Sequence, residues 1–151
     1  MITSKNEKLK IKDRVLNIIM KNGNKKTVEK NFLKVLKQIQ KNSNKKHSNI
    51  FLLSIKNNSS SLKMNKQKQK RGKRKTTKDV PVFVKEYIRL NLSFKLMLSN
   101  SIKKIETANL CSKLYKEILE SSMLKSKSFE QKTELQKQVL LKKKYFFKFR
   151  W

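Results

Sequence analysis

The sequence predicts a mainly α protein, a bundle of about six helices from which one basic β-hairpin protrudes. Three observations carry this expectation. Apolar residues recur at three- and four-residue intervals over most of the 151 residues, which is the spacing of one helical face. Glycine (2) and proline (1), the residues that punctuate β-rich folds, nearly vanish. One segment alone changes to period two, Lys66-Gln67-Lys68-Gln69-Lys70, and alternate residues of a strand share a face.

Residues 1–9 read as a short basic arm. A first helix is expected from about Lys10 to Asn22, with Ile11, Val15, Ile18 and Ile19 on one face and Gly23 as its stop. A second begins near Asn24 to Thr27 and turns Val28, Phe32, Val35, Leu36 and Ile39 inward, leaving Lys30, Lys34, Lys37 and Lys41 on other faces. A third, about Lys46 to Lys56, places Ile50 and Leu53 inward with Phe51 beside them. It ends at Asn57-Asn58-Ser59-Ser60-Ser61, residues that favour turns. The hairpin follows over about residues 62–84, its tip near Gly72 to Lys75. Pro81 cannot donate a ladder hydrogen bond, so the return strand must be an edge strand or end there.

After the hairpin, Tyr87, Leu90, Phe94, Met97, Leu98, Ser101 and Ile105 mark a central helix from about Lys85 to Lys104. Thr107 is the expected N-cap of the next, whose inward face is Leu110, Cys111, Leu114, Tyr115, Ile118 and Leu119 up to Ser121-Ser122. The last helix, about Lys127 to Lys148, is more polar and carries Phe129, Leu135, Val139, Leu140 and Phe146 on a stripe that packs along one side of the bundle. The whole of 1–151 reads as one domain, since Leu, Ile, Val and Phe make 44 residues, about 29%, above the roughly 20% below which highly charged chains stay disordered.

Charge narrows the partners. Forty Lys or Arg face ten Asp or Glu, a formal net charge of +30, and self-repulsion of that size favours a protein that works against a polyanion. Nucleic acid is the first candidate. The excess is uneven, +20 over residues 1–75 and +10 over 76–151, with no acid between Glu29 and Asp79. No apolar run approaches the 18 or more residues of a membrane span, so no integral membrane protein is expected. A protein on a membrane surface is disfavoured because the charge peaks in a strand-like hairpin, away from the amphipathic helices. A nucleoid-type DNA-compacting protein, equally basic and helical, is the alternative to an RNA-binding one.

One cysteine, Cys111, and one histidine, His47, are too few for a zinc site or a disulfide framework. The carboxylates are scattered singly, so no acid pair suggests hydrolase chemistry. Neither an enzyme nor a cofactor is expected. The chemistry lies in phosphate binding. In the strand reading Lys66, Lys68 and Lys70 form one basic row, continued by Arg71, Lys73, Arg74 and Lys75 at the tip. Such cations displace condensed counterions and supply affinity without reading sequence. Lys5, Lys8, Lys10, Lys12 and Arg14 at the start extend the surface. So do Lys21, Lys25 and Lys26 around Gly23, where N–H groups at the following helix start also favour phosphate. At the carboxyl end, Lys142 to Trp151 mixes cations with aromatics that can stack on unpaired bases, although core packing is the better reading for Phe146.

Lys (35) overwhelms Arg (5), Asn reaches 14 and Ala falls to 1, the pattern of a very AT-rich gene such as an organelle genome carries. The amino terminus has neither an apolar signal core nor an Arg-rich amphipathic leader, so an organellar protein of this sequence is expected to be made inside the organelle.

Three motifs in order resemble one family. Leu16-Asn-Ile-Ile-Met-Lys-Asn-Gly23-Asn-Lys-Lys-Thr-Val-Glu-Lys30 is similar to the opening of the small-subunit ribosomal protein seven family, N-x-L-M-x-D-G-K-K-x-x-A-E. Val80-Pro81-Val82 matches the V-P-V that closes its hairpin, and Phe146 with Arg150-Trp151 resembles its F-x-x-x-R-W. The family's paired glycines near the hairpin tip stand here as Arg74-Lys75, with Gly72 displaced. The resemblance implies a protein that binds the three-prime major (head) domain of small-subunit rRNA, supports head assembly, contacts neighbouring small-subunit proteins and lies near the exit-site tRNA and mRNA path. It implies rRNA contacts at Lys10, Lys12, Arg14, Lys25, Lys26, Lys68, Lys70 and Arg71, and at Lys85 and Arg89 in the basic start of the fourth helix. With the AT-rich bias, the expected place is an organellar ribosome, mitochondrial before plastid.

Overall fold

The computed structural model describes residues 5–20, 22–43, 46–71, 74–104 and 109–142, with the backbone alone for 5–10, 68–71 and 74–76. The elements run α1 (Lys5–Ile19), α2 (Lys25–Lys41), α3 (His47–Asn58), β1 (Leu62–Arg71), β2 (Arg74–Phe83), α4 (Glu86–Lys103), α5 (Leu110–Ser122) and α6 (Lys127–Leu141). The expected mainly helical bundle with a hairpin is the architecture found. No helix among the described residues is long and apolar enough to cross a membrane.

The core is built where the apolar stripes meet. Val15 and Leu16 of α1, Phe32, Val35 and Ile39 of α2, Ile50, Phe51 and Ile55 of α3, Phe94 and Met97 of α4, and Leu114 and Ile118 of α5 form one buried cluster. Three rings tie it together edge to face. Phe32 meets Phe51 at 5.5 Å between centroids, and Phe51 meets Phe94 at 6.0 Å, an arrangement that sets the positive ring edge on a negative face. The expected centrality of α4 is shared, for α3, α4 and α5 all pack on one another.

Boundaries and faces differ from expectation in places, each for a local reason. α1 begins at Lys5, so most of the arm expected over 1–9 is helical, continuing the turn set by Lys8 to Lys12 without a breaker. α3 turns Ile50, Phe51, Ser54, Ile55 and Asn58 inward, while Leu53 is 45% exposed. Its buried face is centred on Phe51 and Ile55, and the polar Ser54 and Asn58 on that face disguise it. Tyr87 is exposed at the start of α4, before the helix reaches the core. α5 starts at Leu110 behind Asn109, three residues after the expected cap, and Thr107 lies outside the described residues. α6 buries Val139 but leaves Leu140 more than half exposed; Phe146 and the rest of the aromatic carboxyl end lie outside the described residues. Ser126 caps α6, accepting a hydrogen bond from the Phe129 N–H. Just before it, Leu124 adopts φ +63° and the Lys125 N–H donates to the Glu120 carbonyl, the left-handed close that helix ends usually give to glycine.

The hairpin is in plain antiparallel register, from Leu62 opposite Phe83 to Arg71 opposite Arg74. The return strand therefore begins two residues nearer the tip than expected. Arg74 and Lys75 belong to β2, and the connection is residues 72 and 73, outside the described residues. Pro81 stands in β2 opposite Met64, and the strand runs on to Phe83. The sheet has two strands, so both are edges and the missing N–H of Pro81 breaks no second ladder. The hairpin base is held by the Val84 N–H, which donates to the Ser61 carbonyl, and by α6 packed along β1.

Candidate nucleic-acid interface

The basic groups expected to bind RNA fall on four parts of the scaffold. The first is the turn after α1. Asn22 and Gly23 are both left-handed, at φ +53° and +74°. An added Cβ at Gly23 would meet nothing within 4 Å, so glycine serves the backbone conformation rather than the space. The turn delivers Lys25 and Lys26, both exposed, to the first turn of α2. Asn24 precedes that helix with no side-chain cap bond.

The second part is α1. Lys12 is not a free cation: its Nζ donates to Glu29 Oε1 at 2.6 Å. That hydrogen bond and the Lys12 charge hold the Glu29 carboxyl below its ordinary range. Asp13 sits 3.6 Å from Lys25, so two ion pairs pin α1 to the start of α2. Arg14 is half-buried and lines a small cavity with Ile11, Val15, Ile18, Ile55, Leu90 and Asn91, between α1, α3 and α4. Lys10 lies within α1.

The third part is the start of α4. Lys85 is exposed at the junction of β2 and α4, its carbonyl accepting from the Ile88 and Arg89 N–H groups. Arg89 is half-buried, and its Nε has no hydrogen-bond partner among the described residues. Asn91 Oδ1, two residues on, is buried and equally without one. The cavity shared by Arg14, Leu90 and Asn91 brings α1 and the start of α4 to one side of the bundle.

The fourth part is the hairpin. The register sets Lys66, Lys68 and Lys70 of β1 on one face, with Asp79, Thr77 and Lys75 of β2 opposite them. Lys66 is exposed. Lys142, which follows α6, reaches Asp79 at 3.3 Å, so the hairpin's one acid is matched from the bundle side. Arg71 and Arg74 face each other across the last pair before the tip, on the opposite face, while Lys73 lies outside the described residues. Among the described residues no three His, Cys, Asp or Glu side chains converge as metal ligands would. His47, at the start of α3, is bonded to Gln40.

Reading the sequence missed a buried polar centre beneath these elements. Glu117 of α5 is fully buried, accepts from Ser128 Oγ at 2.6 Å and lies 3.1 Å from Lys104 Nζ. Asn100 of α4 donates to Ser128 and to Gln131 of α6. Lys132 of α6 donates to the Asn57 carbonyl of α3 at 2.6 Å, and burial lowers its pKa. The signal available was the spacing of Leu114, Glu117, Ile118 and Ser121 along one face of α5.

Compared with known protein families, residues 2–143 match the family described as Ribosomal protein S7p/S5e. The chain belongs to that family. It is a small-subunit ribosomal protein that binds rRNA, and S7 is a family of structural ribosomal components rather than of enzymes. Matched against individual curated proteins, the chain gives no match. In this S7 protein the buried core of the helical bundle fixes where the basic parts of α1, α2 and α4 stand, and the two-stranded sheet carries the fourth.

Proposed function

We propose that this S7 protein serves an organellar small ribosomal subunit, mitochondrial before plastid. As a single rRNA-binding domain over residues 1–151, it binds the three-prime major domain of the small-subunit rRNA. There it supports assembly of the head beside neighbouring small-subunit proteins and lies near the exit-site tRNA and mRNA path. The organellar place is supported by the chain's excess of Lys and Asn over Arg, Ala and Gly. The mechanism is neutralisation of closely spaced phosphates by cations on a rigid scaffold, the shape of the RNA rather than its base edges selecting the site.

One observation carries the binding reading: the hairpin register that sets Lys66, Lys68 and Lys70 in a single row. Lys75, opposite Lys70, extends the row across to β2, while the Arg71–Arg74 pair adds cations on the other face; Lys73, also expected to bind, lies outside the described residues. At the bundle, Lys10, Lys12 and Arg14 of α1, Lys25 and Lys26 of the turn, and Lys85 and Arg89 of α4 make the second footing.

The test is the salt dependence of binding to a head-domain rRNA fragment. Replacing Lys66, Lys68, Lys70 and Arg71 with Gln is expected to lower the slope of log affinity against log salt by about 3, since each phosphate contact contributes roughly 0.7–0.9. An unchanged slope would sink the hairpin as a binding arm. Excess duplex DNA is expected to compete poorly; equal competition would favour a DNA-compacting protein. For the organellar placement, the protein is expected to co-sediment with mitochondrial small subunits through a high-salt wash. Its absence from them would reject that placement.

A further inference from the structure

We infer that the outer face of α2 is a further RNA-backbone surface, formed by Lys30, Lys34, Lys37 and Lys41 in one row with Lys26 of the turn. The inference rests on this chain's being an rRNA-binding S7 protein, and it adds a surface to those proposed above. The row was hidden in the sequence as lysines on assorted faces. At 100° per residue the five positions fall within an arc of about 80°, and they span about 22 Å along the helix axis. All five are exposed.

Three features separate this row from a merely solvated helix face. First, it lies opposite the residues α2 buries, Phe32, Val35 and Ile39, so it points straight away from the core for the full length of the helix. Second, none of its lysines has an ion-pair partner among the described residues. The one acid of α2, Glu29, lies off the row and is taken by Lys12, while Asp13 of α1 pairs with Lys25, also off the row. Third, like charges at i, i+4 oppose a helix, and here Lys26–Lys30, Lys30–Lys34 and Lys37–Lys41 all stand in that relation, with Glu29, already paired with Lys12, as the one acid of the helix. α6 shows the contrast, interspersing Glu130 and Glu134 with its exposed lysines.

The occupant that fits is the phosphate backbone of an RNA helix. A straight, regular file of point charges complements a regular file of phosphates and reads no bases. An anionic membrane fits less well. A basic amphipathic helix binds a bilayer by sinking its apolar face, and that face of α2 is already spent on the core. The row starts at Lys26, so an RNA strand seated on the turn after α1 can continue along α2.

The experiment measures the salt dependence of full-length small-subunit rRNA binding for three proteins. One is the wild type, one carries Lys30, Lys34, Lys37 and Lys41 each changed to Gln, and one carries Lys95, Lys103, Lys127 and Lys137 changed to Gln as an equal loss of exposed charge elsewhere. Gln keeps the helix propensity of Lys, and circular dichroism is expected to show all three equally folded. The α2 variant is expected to lose about 3 from its slope of log affinity against log salt, and the control variant less than a third of that. An α2 variant with the wild-type slope would overturn the site. A control losing as much would overturn it too, since net charge alone would then explain the effect. So would wild-type binding to vesicles of equal phosphatidylserine and phosphatidylcholine that the α2 changes abolish while rRNA binding stays intact. The hairpin variant measured alongside keeps the two sites distinguishable, because a hairpin that fails to matter leaves the α2 comparison standing.

Discussion

Changing Phe94 to Ala is expected to lower the free energy of unfolding by about 3–5 kcal/mol. Phe94 is fully buried at the middle of α4, and its ring stands edge to face with Phe51, which meets Phe32 in the same way. The three rings join α2, α3 and α4, so the space left by one cannot be closed by a small movement of a single helix. Each such pair adds about 0.5–1.5 kcal/mol beyond its buried area. A domain of this size typically holds only about 5–15 kcal/mol in all, and a net charge of +30 works against it. The free variant therefore sits near its unfolding threshold at low salt and recovers as salt screens the repulsion. Urea unfolding followed by circular dichroism, at low and high salt, measures this. Phe94→Leu, which refills most of the space, is the control and is expected to lose about 1 kcal/mol. Equal losses for Ala and Leu would overturn the cavity account, since refilling the space would then recover nothing. The consequence reaches the interface, because Arg89 stands five residues before Phe94 on the same helix. Saturating rRNA is expected to restore the Ala variant by mass action.

The same residues show what a sequence can and cannot tell about this protein. Phe32, Val35 and Ile39 were legible because α2 has one apolar face and one neighbour-facing side, so hydropathy and burial coincide. The hairpin was legible because alternating Lys and Gln cannot form a helical stripe, and Pro81 restricts the return strand to an edge. α3 was misread where it is enclosed on more sides: Leu53 is exposed while Ile55 is buried, and Ser54 and Asn58 share the inward face. Hydropathy patterning assumes that polar residues face water. Ser54 escapes that assumption by donating to the Phe51 carbonyl within its own helix. Glu117 escapes it through partners on other elements, Ser128 and Lys104, which no local pattern reveals. At the interface, residue types and elements were readable but not their pairing. Lys12 counts as a binding cation in the sequence, and only the fold shows Glu29, seventeen residues on, holding it. The Lys row of α2 was overlooked for a similar reason: in a chain so rich in Lys, a cation gains meaning only once its neighbours and missing counter-ions are seen in space.

Lys104→Met is the second change expected to cost heavily, about 3 kcal/mol at neutral pH, because it strands a buried carboxylate. Glu117 is wholly inaccessible, and its Oε2 has no directed hydrogen bond among the described residues, so it depends on the Lys104 charge 3.1 Å away. Glu120, also bonded to Lys104 at 2.8 Å, is nearly half exposed and can turn to water; Glu117 cannot. Burial by itself would lower the Lys104 pKa, but the bonds and charges of Glu120 and Glu117 outweigh it, and the value stands above the usual lysine range. The sign follows from that direction. A lysine with a raised folded pKa contributes its full stabilisation below the unfolded value of about 10.4 and loses it as pH climbs through the folded one. The gap in stability between wild type and Lys104→Met is therefore expected to be constant from pH 7 to about 10 and to close above about 10.4. Every other lysine discharges over the same range, but that relief of repulsion is common to both proteins and cancels in the difference. Adding Glu117→Gln to Lys104→Met removes the stranded charge and is expected to recover part of the loss, a coupling that a double-mutant cycle reads directly. A gap that stays open at high pH, or a double variant no better than Lys104→Met alone, would mean that Lys104 acts through its aliphatic stem and that Glu117 is held by Ser128 instead. The stakes are mechanical, since Asn100, Ser128 and Gln131 carry this centre from α4 and α5 into α6, and α6 is the helix against which the base of the hairpin is packed.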